Sequence, residues 1–217
     1  MKKILIVLIL NFVGGFSAFS QMQKGAWMLN GELGLSRIRN LTKSNDPGFQ
    51  TMKSNPVTSF ILNPGIGYFV SDKTVFGVQG LLGNTWKKDD SDVSNSPNSY
   101  NVFSFGGGVF LRNYVPSGEK TAFFWELESD YSRRNYVWRY KNPSSKEVSG
   151  RDKCISAGMN LGLQYLISNR IGVHVSTPIL QYTSRLKGYS KDFEGFPEDY
   201  FSIQFLKSFN LGASIFL

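Results

Sequence analysis

Phe201-Ser202-Ile203-Gln204-Phe205-Leu206-Lys207-Ser208-Phe209-Asn210-Leu211-Gly212-Ala213-Ser214-Ile215-Phe216-Leu217 closes the chain, and its alternation decides the fold class. Phe201, Ile203, Phe205, Phe209, Leu211, Ala213, Ile215 and Leu217 share one parity, while Ser202, Gln204, Ser208, Asn210, Gly212 and Ser214 share the other. Successive side chains of a strand point to opposite faces, so this block has one apolar and one polar face. The rhythm runs back to Ala26. It predicts strands over 26–38, 57–70, 74–86, 100–114, 122–140, 153–167 and 171–183, with the terminal block as the eighth.

Turns between these blocks alternate in length. Ser71-Asp72-Lys73, Pro116-Ser117-Gly118-Glu119-Lys120 and Ser168-Asn169-Arg170 are short, while polar segments 39–56, 87–99, 141–152 and 184–199 are long. An even strand count with alternating short and long connections predicts an all-β chain, an eight-stranded antiparallel up-and-down transmembrane β-barrel. Closure follows from physics: in lipid every backbone donor and acceptor must be paired, which strands achieve only in a ring. Pro64 and Pro178 each remove a ladder hydrogen bond and are assigned to bulges.

The N-terminus reads as an export signal over 1–20. Lys2 and Lys3 precede an apolar run from Ile4 to Val13, too short to cross a bilayer about 30 Å thick. Ala18-Phe19-Ser20 places cleavage before Gln21, and 21–217 forms one barrel domain. Losing Lys2 and Lys3 takes the formal charge from +8 to +6, so the mature chain is basic. The single cysteine, Cys154, excludes an internal disulfide, a multi-cysteine metal site and a lipoprotein anchor after residue 20. No cofactor is expected. Nucleic acid is not an expected partner either, because no recognition motif appears.

Eight strands leave a bore that side chains, or one small ligand, can fill. Inward parity predicts a polar network of Glu32, Arg112, Glu126, Glu128, Asp130, Arg134 and His174. Arg112 should meet Glu126 across a short turn, and Gly106 and Gly108 should lie opposite Asp130 and Glu128. Such a set reads either as an ion path or gate, or as a satisfied polar plug, since buried charges must be paired. Near the long loops, Arg37, Arg39, Lys43 and Lys53 flank the first. Arg133, Arg139, Lys141, Lys146, Arg151 and Lys153 flank the third, giving a basic outer rim suited to lipopolysaccharide phosphates or simply to water. Trp27, Trp86, Trp125, Trp138, Tyr100 and Tyr114 are candidates for interfacial belts.

Four passages resemble a known family. They are Phe105-Gly106-Gly107-Gly108-Val109-Phe110-Leu111-Arg112-Asn113-Tyr114, Gly118-Glu119-Lys120-Thr121-Ala122-Phe123-Phe124-Trp125-Glu126-Leu127, Leu161-Gly162-Leu163-Gln164-Tyr165-Leu166-Ile167-Ser168 and the terminal strand. Together they resemble the small eight-stranded outer-membrane barrels of Gram-negative bacteria, OmpA-type and PorT-like. The resemblance implies the cell outer membrane and, as partners, its lipid, lipopolysaccharide and the barrel-assembly machinery. Members end in an aromatic residue that this machinery reads, whereas this chain ends Phe216-Leu217.

Three functional readings follow. The first is a non-enzymatic outer-membrane barrel acting through its loops in a structural, adhesive or export-accessory role, with a surface or secretion partner. The second is a lipid-modifying enzyme: His174-Val175-Ser176 puts a base and a nucleophile on one face and resembles lipid A deacylases. Parity points both residues into the bore near the short turns, away from outer-leaflet lipid. The third is a lipocalin-like periplasmic barrel, with the apolar parity inside.

Overall fold

Two-residue periodicity becomes strand over nearly all of the chain that the computed structural model describes, residues 22–38, 41–42, 52–53, 56–88, 97–140, 148–186, 199–203 and 208–217. The strands are β1 (Trp27–Ile38), β2 (Leu41–Thr42), β3 (Met52–Lys53), β4 (Val57–Ser71), β5 (Thr74–Lys88) and β6 (Pro97–Pro116). They continue as β7 (Thr121–Tyr140), β8 (Val148–Leu166), β9 (Ile171–Leu186), β10 (Asp199–Ile203) and β11 (Phe209–Phe216). β1 and β4 to β9 each pair antiparallel with their neighbours. β10 and β11 follow each other along the free edge of β9 and share the eighth place. β11 then pairs with β1, from Met28 opposite Phe216 to Leu35 opposite Phe209, and the ring closes. β2 and β3 form a separate two-residue ladder in the first long connection, which the periodicity did not reveal.

Short turns join β4 to β5, β6 to β7 and β8 to β9 at one end. Their chemistry is local: Ser168 Oγ accepts from the Arg170 and Ile171 amides at 3.3 and 3.1 Å, holding the turn. The chain enters beneath this end. Gly25, at φ 97°, takes a left-handed conformation that a side chain would strain, and donates to the Phe69 carbonyl. Its turn leaves Met22 buried against the base of the bore.

Packing is inverted relative to a water-soluble domain. Outward residues such as Phe76, Phe123 and Leu211 are 50%, 53% and 66% exposed, while inward Arg112 is fully buried. The polar parity therefore faces inward, which overturns the lipocalin-like reading. The bore is not polar throughout, however. At the short-turn end it is filled by Met22, Met28, Phe69, Phe110, Tyr114, Phe124 and Phe216, an apolar plug that the sequence reading did not anticipate. Tyr114 thus points inward, not to an interfacial belt, and its hydroxyl donates to Met28 Sδ at 3.3 Å. Tyr100 and Trp138 also face the bore, whereas Trp27 and Trp86 stay exposed outside.

The prolines divide. At Pro178 the β8–β9 ladder steps from Met159 opposite Leu180 to Asn160 opposite Pro178, so Ile179 is an extra residue and the proline lies at a bulge. The extra residue reverses the phase: Leu180 and Tyr182 are exposed outside, where Ile179 was expected to point. Pro64 is not at a bulge. Its pairing with β5 lapses at Asn63 and Pro64 and resumes in the same register at Gly65. The irregularity in that hairpin lies instead between Phe69 and Ser71.

Candidate functional site: ionic layer and upper cavity

Above the apolar plug, the register of three strand pairs converges on one guanidinium. The turn after Pro116 sets Arg112 opposite Glu126. Arg112 Nε donates to Glu126 Oε2 at 2.7 Å and its Nη2 donates to Glu32 Oε1, from β1, at 2.6 Å. Both carboxylates are almost fully buried, and each is paired with the guanidinium where water would otherwise solvate it. The guanidinium also lies 4.3 Å from the centroid of Phe124, a cation–π contact with the plug below.

Glu32 is shared further. His174 Nε2 lies 2.9 Å from Glu32 Oε1 and Ser176 Oγ donates to Glu32 Oε2 at 3.3 Å. A carboxylate only accepts, so the imidazole donates through Nε2. His174 Nδ1 lies 3.5 Å from Ser214 Oγ, and that hydroxyl donates to Asn30 at 3.2 Å. Asn160 donates to the second oxygen of Glu126 at 3.4 Å. Ser176, which the enzymatic alternative would pair with His174 as nucleophile, bonds the same acid as the imidazole.

One layer higher, Gln79 bridges two carboxylates. Its Nε2 donates to Glu128 Oε2 at 3.1 Å and to Asp130 Oδ1 at 3.0 Å. The glycine pairing is displaced from expectation: Asp130 lies opposite Gly108, and Glu128 lies opposite Phe110 on β6 and Gly158 on β8. A Cβ on Gly108 would run into the Ser129 carbonyl and the Asp130 carboxylate. The same device recurs at three large inward groups nearby: Phe110 faces Gly77, Phe124 faces Gly162 and His174 faces Gly212 across the ladder.

Arg134 does not join these layers. It is opposite Ser104 and Asp152, in the loop-end half of the bore. There it lines a cavity of about 770 Å³ together with Lys87, Tyr100, Tyr136, Trp138 and Arg185. Arg185 Nε pairs with Asp152 Oδ2 at 3.1 Å, and Tyr100 packs on Trp138 with ring centroids 5.0 Å apart. Parity points Arg134 inward, but Tyr100 and Trp138 were expected at interfacial belts, and Lys87 and Arg185 fell in the long connections 87–99 and 184–199. The phase reversal at Ile179 turns Gln181 and Arg185 into the bore.

Of the expected rim, Arg37, Arg139 and Arg151 are exposed near the ends of their strands. Arg133 and Lys153 are exposed too and lie opposite each other, with Arg151 one outward place further along β8. Arg39, Lys43, Lys141 and Lys146 lie outside the described residues, as does the expected cleavage point before Gln21.

No family model matches the chain, and no curated protein matches it. Solved structures that it resembles include the outer membrane protein OprG from Pseudomonas aeruginosa, at 10% identity, covering 90% of this chain and 97% of that one, TM-score 0.46. Neisserial surface protein A is similar at 10% identity, with 88% and 97% covered and a TM-score of 0.43. Ail, the attachment invasion locus protein of Yersinia pestis, solved with the heparin analogue sucrose octasulfate, is similar at 13% identity, 90% and 100% covered, TM-score 0.42.

Proposed function

We propose that this chain is a non-enzymatic outer-membrane barrel, sealed through its bore, that acts at its loop end in a structural, adhesive or export-accessory role. The inversion of its faces carries the reading. On β7 the outward places from Phe123 to Tyr131 hold no charge and Arg133 comes next; on β8 they run from Tyr165 to Ile155 before Lys153. At a rise of about 3.3 Å per residue and a tilt of about 40°, these runs span roughly 20–25 Å, matching the apolar band of an outer-membrane barrel.

The seal supports a closed bore. Arg112 with its two carboxylates, and the aromatic plug beneath, leave the short-turn half filled by buried side chains. At the upper edge of the apolar band, Arg133, Arg151 and Lys153 stand where lipopolysaccharide phosphates would lie, as charge-assisted donors. The enzymatic alternative has weaker support: Ser176 is spent on Glu32, and both it and His174 are buried inside the wall, not on its lipid face.

Cell fractionation tests the proposal. The chain should be recovered in the outer membrane and run with heat-modifiable mobility on gels. Recovery as a freely soluble periplasmic protein, or a lipid A species that vanishes on His174→Ala, would refute it.

A further inference from the structure

The upper cavity has features that a merely solvated vestibule does not need. Its volume, about 770 Å³, lies within the range of small-ligand sites, roughly 300–1,000 Å³. It is blind, because the Gln79–Glu128–Asp130 layer and the Arg112 layer fill the bore beneath it. One wall is aliphatic, with Val57, Ile61, Leu81 and Val102, and another carries the Tyr100–Trp138 pair and Tyr136. Among the described residues the lining carries three cations, Lys87, Arg134 and Arg185; the carboxylates beside it are Asp152, which Arg185 holds, and Glu128 and Asp130 in the floor, which Gln79 bridges.

We infer that this cavity is a binding site for a small organic anion with an aromatic or apolar body. The rings and aliphatic wall would bury the body, and Arg134 would take the carboxylate or sulfonate through its planar fork of donors. A cationic ligand would meet like charge. A neutral hydrocarbon would desolvate the arginine with nothing in exchange. The inference goes beyond the proposed loop-end role and does not require it, since binding is read on the isolated barrel wherever the cell places it.

The full chain in nanodiscs of zwitterionic lipid, titrated with 4-nitrobenzoate, tests it. This anion quenches indole fluorescence, and Trp138 supplies an indole in the cavity wall. Saturable quenching is expected, lost in Trp138→Phe. Arg134→Gln should weaken it about tenfold or more, as should replacing the anion by neutral 4-nitrobenzyl alcohol. Ser104→Trp, from the strand opposite Arg134, fills the cavity and should abolish binding while heat-modifiable mobility is retained. That second variant decides the matter if Arg134→Gln fails to fold. Non-saturating quenching, equal quenching by the alcohol, or full binding by a folded Ser104→Trp protein would overturn the inference and leave a solvated vestibule.

Discussion

Arg112 is the residue whose surroundings are most demanding, since it is wholly buried and answers to Glu32 and Glu126 at once. Arg112→Ala would strand two carboxylates in the bore, which costs about 3–5 kcal/mol by the behaviour of broken buried pairs. Arg112→Met combined with Glu126→Gln removes one charge of each sign and leaves Glu32 its bonds from His174 and Ser176, so it should destabilise less. Urea unfolding in lipid vesicles checks the order, and a double variant weaker than the single one contradicts it. Glycine matters at this scale too. Gly162→Ala would drive a methyl group into the Phe124 ring and the Val175 carbonyl, so a loss of about 1–3 kcal/mol is expected in the same assay. Gly31, beside which nothing lies within 4 Å, is the control and should tolerate alanine.

Elements carry the next predictions. β9 holds one residue more than β8 requires, and the extra residue is Ile179. Deleting it should leave a regular strand, because the inward places 172, 174 and 176 would then run on in phase to Gln181 and Arg185. The deletion variant should therefore insert and keep heat-modifiable mobility, whereas deleting Val173 in mid-ladder should abolish both. On the outer face, Arg133 and Lys153 end two uncharged runs. Neutralising Arg133, Arg151 and Lys153 to glutamine should lower the lipopolysaccharide phosphate that co-purifies per barrel, while thermal unfolding stays within about 1 kcal/mol of wild type, as for exposed charges. Unchanged phosphate would remove lipopolysaccharide from the list of partners.

At the scale of the whole molecule, closure and filling act together. The ring closes where β11 pairs with β1, as lipid demands, and the plug and ionic layers occupy its lower half. Purified protein in planar bilayers should give no steady single-channel current, and shortening the connections 39–56, 87–99, 141–152 and 184–199 should spare insertion while removing any phenotype of a deletion strain. Steady currents would show that the layers open.

The sequence by itself determined the eight places of the ring, the three short turns, the inward or outward sense of most residues and the meeting of Arg112 with Glu126. Each depends only on period two and on a turn of fixed length, both local properties of the chain. Tertiary structure decided the rest. Which inward groups share a layer depends on the stagger between strands far apart in sequence, and this stagger brings Glu32, His174 and Ser214 to one point while leaving Arg134 above them. Phe110 and Phe124 have inward parity in the sequence, but an aromatic ring reads as a membrane face until its opposing glycine is known. A bulge leaves no mark in periodicity except a slip of phase, so the side of Arg185, and with it the cationic cavity, was settled only when β9 met β8.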